Sequence, residues 1–142
     1  MNVITWKQYL KDIDKLASKI TEKFDYIWGI PRGGLIPAVI LAHKLDIPLV
    51  SDRKMLSMRN DYKLLIVDDL YETGKALCEA IAMLPSKVSW RSAVVYTKAD
   101  KEIAHYSGPL MDKDAWIVFP YEKVENAETD SVEYQLSRKD KV

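Results

Sequence analysis

Leu64-Leu65-Ile66-Val67 is an unbroken apolar run that meets two adjacent carboxylates, Asp68 and Asp69, and then the short loop Leu70-Tyr71-Glu72-Thr73-Gly74-Lys75-Ala76. Four apolar residues in a row fit a strand covered on both faces, the environment of a parallel sheet with helices packed against it. The pattern recurs upstream. Tyr26-Ile27-Trp28-Gly29-Ile30 reads as a second buried strand, Pro31-Arg32-Gly33-Gly34 as its loop, and residues 35–45, with Pro37 in the first turn, as a helix.

Further elements complete the alternation. Thr5 and Gln8 have the spacing of a capping box, and Trp6, Tyr9, Leu10, Ile13, Leu16, Ala17 and Ile20 recur behind it at helical intervals, which predicts an amphipathic helix over residues 5–23. Residues 48–50 predict a short strand, 75–84 a helix stopped by Pro85, and 88–96 and 115–118 two more strands. Together these predict a three-layer α/β domain with a mostly parallel central sheet, its ligand edge at the carboxyl ends of the strands. A chain of 142 residues that is 48% hydrophobic supports one core, so residues 1–142 are expected to form a single domain. In residues 122–142 the chain turns strongly charged, and Val132, Tyr134 and Leu136 alternate there as an edge strand or a tail would.

Charge narrows the partners. Lysine plus arginine and aspartate plus glutamate each number 21, so no overall field favours nucleic acid or an anionic membrane. No apolar stretch approaches the roughly 20 residues that cross a bilayer, and the N-terminus lacks a signal-peptide pattern, which predicts a cytoplasmic protein. Cys78 stands alone, so it makes no internal disulfide, and its place beside Leu77 and Ile81 predicts burial in a helix face. The sequence leaves a homodimer open.

The chemistry gathers in two loops. The end of the Leu64-to-Val67 strand delivers Asp68 and Asp69 to the ligand edge, and the residues after it bring the N–H groups of Glu72, Thr73, Gly74, Lys75 and Ala76 to a helix start, where the helix dipole favours an anion. Carboxylates that accept hydroxyls or Mg²⁺, next to donors for a phosphate, suit a phosphorylated ribose. In the upstream loop Gly33 and Gly34 permit close approach of a ligand and Arg32 offers donors matched to a second phosphate. Read blandly, that loop is a tight turn with a surface arginine. Further on, Lys98 follows one strand, and Trp116-Ile117-Val118-Phe119-Pro120-Tyr121-Glu122 supplies an aromatic platform and main-chain groups that suit a 6-oxopurine. The plainer alternatives are a core tryptophan and a solvated lysine.

The order strand, Asp-Asp, two residues, Glu-Thr-Gly resembles the ribose-phosphate signature of the type I phosphoribosyltransferases, and the Trp116 segment looks like the corresponding stretch of the small xanthine and hypoxanthine-guanine enzymes. The resemblance implies their Rossmann-like fold with a small hood, and transfer of phosphoribosyl from 5-phosphoribosyl 1-pyrophosphate (PRPP) to hypoxanthine, guanine or xanthine. It implies that Arg32, Gly33 and Gly34 receive pyrophosphate, that Asp68 and Asp69 hold the ribose hydroxyls and Mg²⁺, directly or through water, and that Thr73, Gly74, Lys75 and Ala76 hold the 5′-phosphate. Arg32 would neutralise the leaving group, Glu72 would assist deprotonation of the purine, Trp116 would stack on it, Ile117 would read it through its backbone, and Lys98 would reach its 6-oxygen.

Three positions depart from the family pattern. Glu72 stands where the family has aspartate, Ala76 where it has threonine, and residues 51–63 form a shortened loop without the usual Ser-Tyr pair. Arg53, Lys54 and Arg59 in that loop either reach pyrophosphate or form a solvated basic turn. These departures define a second reading, a non-catalytic sensor that binds PRPP or a purine nucleotide on the same fold.

Overall fold

The computed structural model describes residues 1–98 and 104–125. Its elements in chain order are β1 (Asn2–Val3), α1 (Trp6–Lys19), β2 (Tyr26–Gly29), α2 (Leu35–Leu45), α3 (Met55–Met58), β3 (Lys63–Tyr71), α4 (Lys75–Ala82), β4 (Ser89–Thr97), β5 (Tyr106–Ser107) and β6 (Ile117–Val118). The chain divides into two compact units: Asp12–Lys113, and Met1–Lys11 with the residues from Asp114 onward. The alternating Val132, Tyr134 and Leu136 lie outside the described residues.

In the larger unit four strands pair in the order β2-β3-β4-β5, all parallel. Leu64, Leu65, Ile66 and Val67 are at most 1% exposed, so the apolar run is covered on both faces as its composition requires. Side chains alternate across a strand, and Leu64 and Ile66 cluster with Leu77 and Ala80 of α4, Leu56 and Val94. Helix α2 packs on β2 and β3, where Gly29 leaves room for the Ala38 methyl.

Several expectations change in detail. α1 stops at Lys19, and Tyr9, Ile13, Leu16 and Ile20 are buried whereas Trp6 and Leu10 are exposed. The Thr5 hydroxyl accepts the Gln8 N–H at 3.2 Å, one half of the capping box. Residues 48–50 contribute only a bridge from Leu49 to Ile27. Segment 115–118 does not join the main sheet: β6 pairs in parallel with β1, an N-terminal strand that periodicity does not reveal because it is two residues long. That pair belongs to the smaller unit, with an aromatic cluster in which Tyr121 stacks on Phe119 at 5.4 Å between ring centroids.

Segment 51–63 is not an open loop. It contains α3, Leu56 is buried, and the Tyr62 hydroxyl donates to the Leu56 carbonyl, so the turn is pinned to the core from within. Cys78 is exposed, contrary to expectation. α4 turns Leu77 and Ala80 inward, and the 100° between neighbouring helical residues carries Cys78 off that face. Among the described residues no helix is long and apolar enough to cross a membrane.

Candidate active site

The decisive geometry follows from unequal strand lengths. β2 ends at Gly29, opposite Val67, while β3 continues to Tyr71 because β4 pairs with it as far as Thr97. Asp68 and Asp69 therefore lie within β3 and not past its end, and their segment is paired on the β4 side while β2 no longer flanks the other. The chain leaving β2 folds across the vacant side. The Ile30 N–H donates to the Val67 carbonyl at 2.8 Å, the Gly34 N–H returns to the Ile30 carbonyl at 2.8 Å, and α2 follows.

This turn brings the two predicted loops together. A side chain on Gly33 would collide with the Asp69 carboxylate, and one on Gly34 with the Val67 carbonyl and the backbone of Ile30. Gly34 is therefore required by close packing of the turn onto the backbone of β3, whereas Gly33 leaves room for the Asp69 carboxylate, which a side chain there would push aside. Arg32, one residue before Gly33, is exposed at the same place. The Asp68 Oδ1 accepts the Asp69 N–H at 2.8 Å. Burial, reinforced by the neighbouring Asp69 charge, pushes the Asp68 carboxyl up to about 8. Such a pair favours a cation or hydroxyl donors beside it.

After Tyr71 the chain turns through Gly74, whose φ of 78° suits glycine, into the first turn of α4. The Cys78 N–H makes an early helical bond to the Gly74 carbonyl at 2.9 Å and the Lys75 N–H is directed to Thr73 Oγ1 at 3.4 Å, while Gly74 at the N-cap has no side chain to cap the remaining N–H groups of the helix start. A cavity of about 430 Å³ opens here, lined among others by Asp68, Tyr71, Glu72, Thr73, Gly74, Lys75 and Ala76. Arg32, Gly33, Gly34 and Asp69 are outside its lining, whereas Ile30, at the foot of their turn, and Asp68, the neighbour of Asp69, are part of it. Sequence reasoning gave Tyr71 no role, although an aromatic residue between the carboxylates and the glycine turn was the available signal. Burial pushes its phenol up, with a smaller contribution from Cys78.

Lys98 is buried, which removes the solvated alternative. Its N–H donates to the Tyr71 carbonyl at 2.8 Å and its Nζ lies 3.5 Å from Glu72 Oε1, so the expected purine-facing lysine and acid meet directly. Arg59 is committed elsewhere, donating to the Tyr26 hydroxyl at 3.2 Å, and Arg53 contacts the Met83 sulfur.

Trp116 and Ile117 belong to the smaller unit. The Trp116 carbonyl accepts the Asn2 N–H at 2.8 Å and the Val118 carbonyl accepts the Ile4 N–H at 2.9 Å. In a parallel ladder this leaves the main-chain groups of Ile117 on the edge away from β1, as backbone reading of a ligand requires.

No protein-family model matches the chain. The xanthine-guanine phosphoribosyltransferase of Nitratidesulfovibrio vulgaris is 32% identical, over 84% of this chain and 83% of that protein. Among solved structures, a purine phosphoribosyltransferase from Pyrococcus horikoshii superposes with a TM-score of 0.71 at 33% identity, covering 85% of this chain and 93% of that one. A xanthine-guanine-hypoxanthine phosphoribosyltransferase from Helicobacter pylori has the same fold, with a TM-score of 0.70 at 20% identity, over 90% and 98% of the two chains. With two loops converging on one pair of carboxylates and relatives this similar over most of their length, the chain belongs to the purine phosphoribosyltransferase family.

Proposed function

We propose that the protein transfers the 5-phosphoribosyl group of PRPP to a 6-oxopurine, hypoxanthine, guanine or xanthine, giving the nucleoside monophosphate and pyrophosphate. The observation that carries this reading is the contact of Gly33 with Asp69 beside the cavity of the 71–76 loop, because it sets two anion-binding turns on either side of one carboxylate pair. That spacing suits a pentose phosphorylated at both ends. A purine ring nitrogen forms a bond to the anomeric carbon while the bond to pyrophosphate breaks.

In this reading the first turn of α4 holds the 5′-phosphate, Asp68 and Asp69 hold the ribose hydroxyls, and Arg32 balances the charge that grows on the leaving group. Catalysis is mainly positioning. Lys98 donates to the 6-oxygen and Glu72 takes the purine proton, while Trp116 and Ile117 hold the ring. Mg²⁺ fits beside Asp68 and Asp69, where the suppressed ionisation of Asp68 is relieved by a divalent cation. When bound, the ion adds positive charge to the pyrophosphate. A cytoplasmic setting, where such bases are salvaged, belongs to the same reading.

Incubation with PRPP, Mg²⁺ and each of hypoxanthine, guanine, xanthine and adenine tests it. Release of pyrophosphate with an oxopurine is expected; tight PRPP binding without turnover overturns the enzyme in favour of a sensor.

A further inference from the structure

We infer that the Tyr71 hydroxyl is a direct ligand of the phosphate received by the 73–76 loop, supplying the donor that Ala76 lacks. This rests on the reading of that loop as a phosphate seat and adds a residue to it. Tyr71 closes β3 and is only 7% exposed, yet it lines the cavity. Its hydroxyl occupies the space into which a side chain on Gly74 would project, so it stands at the turn whose N–H groups face an anion. The Tyr71 carbonyl is taken by the Lys98 N–H, whereas the phenol oxygen forms no hydrogen bond among the described residues.

A hydroxyl that opens on the cavity and has no partner among the described residues takes one from outside the chain. The cavity occupant can provide it. Two residues past Gly74, Ala76 offers only a methyl group, so the helix start lacks a side-chain hydroxyl there. A phenol reaching in from the strand end restores a charge-assisted bond to a phosphate oxygen from another direction. The ring also explains why position 74 must be glycine beyond its φ: any side chain would displace the hydroxyl.

Titration of PRPP with Mg²⁺ into the wild-type protein, Tyr71→Phe, and Tyr71→Phe combined with Ala76→Thr tests the assignment. Tyr71→Phe keeps the ring, so its melting temperature should match the wild type while PRPP binding weakens roughly tenfold or more. The second substitution should recover most of that loss, which a merely structural tyrosine would not allow. Equal affinity of wild type and Tyr71→Phe overturns the inference, as does a loss that Ala76→Thr leaves in place, or a Tyr71→Phe chain that no longer folds. Failure of the wild type itself to bind PRPP overturns the reading of the loop, and so is told apart from failure of Tyr71 alone.

Discussion

Lys98 Nζ lies 3.5 Å from Glu72 Oε1, and the two segments are also joined through the Lys98 N–H and the Tyr71 carbonyl. The arrangement follows from the sheet. β3 and β4 are adjacent and parallel and end side by side at Tyr71 and Thr97, so the first residue beyond each strand meets the other. The lysine side chain is 3% exposed and the glutamate 33%. A separation of 3.5 Å is long for a charge-assisted hydrogen bond, so this pair is one that a base bearing a carbonyl and a ring N–H can open and replace.

Unequal burial makes the two halves of the pair unequal under mutation. Glu72→Gln leaves a buried ammonium with a weaker partner and should cost roughly 1–3 kcal/mol in urea unfolding. Lys98→Met replaces the ammonium by an apolar chain of similar length and leaves the better solvated partner, so it should cost less than about 1 kcal/mol. In kinetics Glu72→Gln should act on kcat and Lys98→Met on the KM for the oxopurine. A larger stability loss from Lys98→Met than from Glu72→Gln would contradict this account of the pair.

Gly33→Ala tests the convergence of the two turns. Its methyl group would run into the Asp69 carboxylate, which must move or push the Arg32 turn outward. A displacement near 1 Å at a positioned group is costly for catalysis, so the KM for PRPP should rise at least about tenfold with little change in melting temperature. Asp69→Asn should abolish PRPP binding in calorimetry. Near-normal PRPP binding in both variants would remove the shared site.

Both loops were legible because their chemistry is contiguous: carboxylates, glycines and a helix start follow one another within a few residues of an apolar run. Their convergence was legible only through the rule that parallel strands open their ligand edge on one side. What escaped depends on contacts distant in sequence. The β1–β6 pair joins Asn2 to Ile117 through two residues each, too few for a periodic signal. β3 outlasts its apolar run because β4 continues to pair with it, so Asp68 and Asp69 sit inside a strand. Spacing alone does not choose between Leu77 and Cys78 as the inward residue, which the packing of α4 decides. Tyr71 was passed over because its significance is its contact with Gly74, visible only once the turn is built.

At the other end of the strands, Glu22 accepts from Lys63 Nζ at 2.5 Å and from the Tyr106 hydroxyl, with Arg91 Nε at 3.4 Å. The Lys63 hydrogen bond, then that of Tyr106, holds the Glu22 carboxyl down at about 2. A folded-state pKa below the unfolded one means that the unfolded chain takes up protons first as pH falls. Stability from this group is therefore complete above the ordinary glutamate range near 4.5 and is lost as pH drops toward 2. Glu22→Gln should lower the melting temperature at pH 7, and the gap from wild type should close progressively between pH 4.5 and 2. A gap that stays constant across that window would show that the charge of Glu22 is not what stabilises the cluster.

Trp116 provides the test for the base. Its carbonyl is occupied by the Asn2 N–H, so its main chain serves β1 and a role toward a ligand falls to its ring. Ile117 is the residue whose main-chain groups face away from β1, and it is buried, so the strand presents a polar edge from a fixed backbone next to a partly exposed indole. Stacking of a base on an aromatic ring is worth roughly 1–3 kcal/mol by alanine substitution. Trp116→Ala should then raise the oxopurine KM by about five- to a hundredfold and leave the PRPP KM within about twofold, with Trp116→Phe recovering most of the loss. Steady-state kinetics with each substrate varied separates these outcomes: an equal rise in both constants would assign Trp116 to the packing of its unit and leave the purine without its platform.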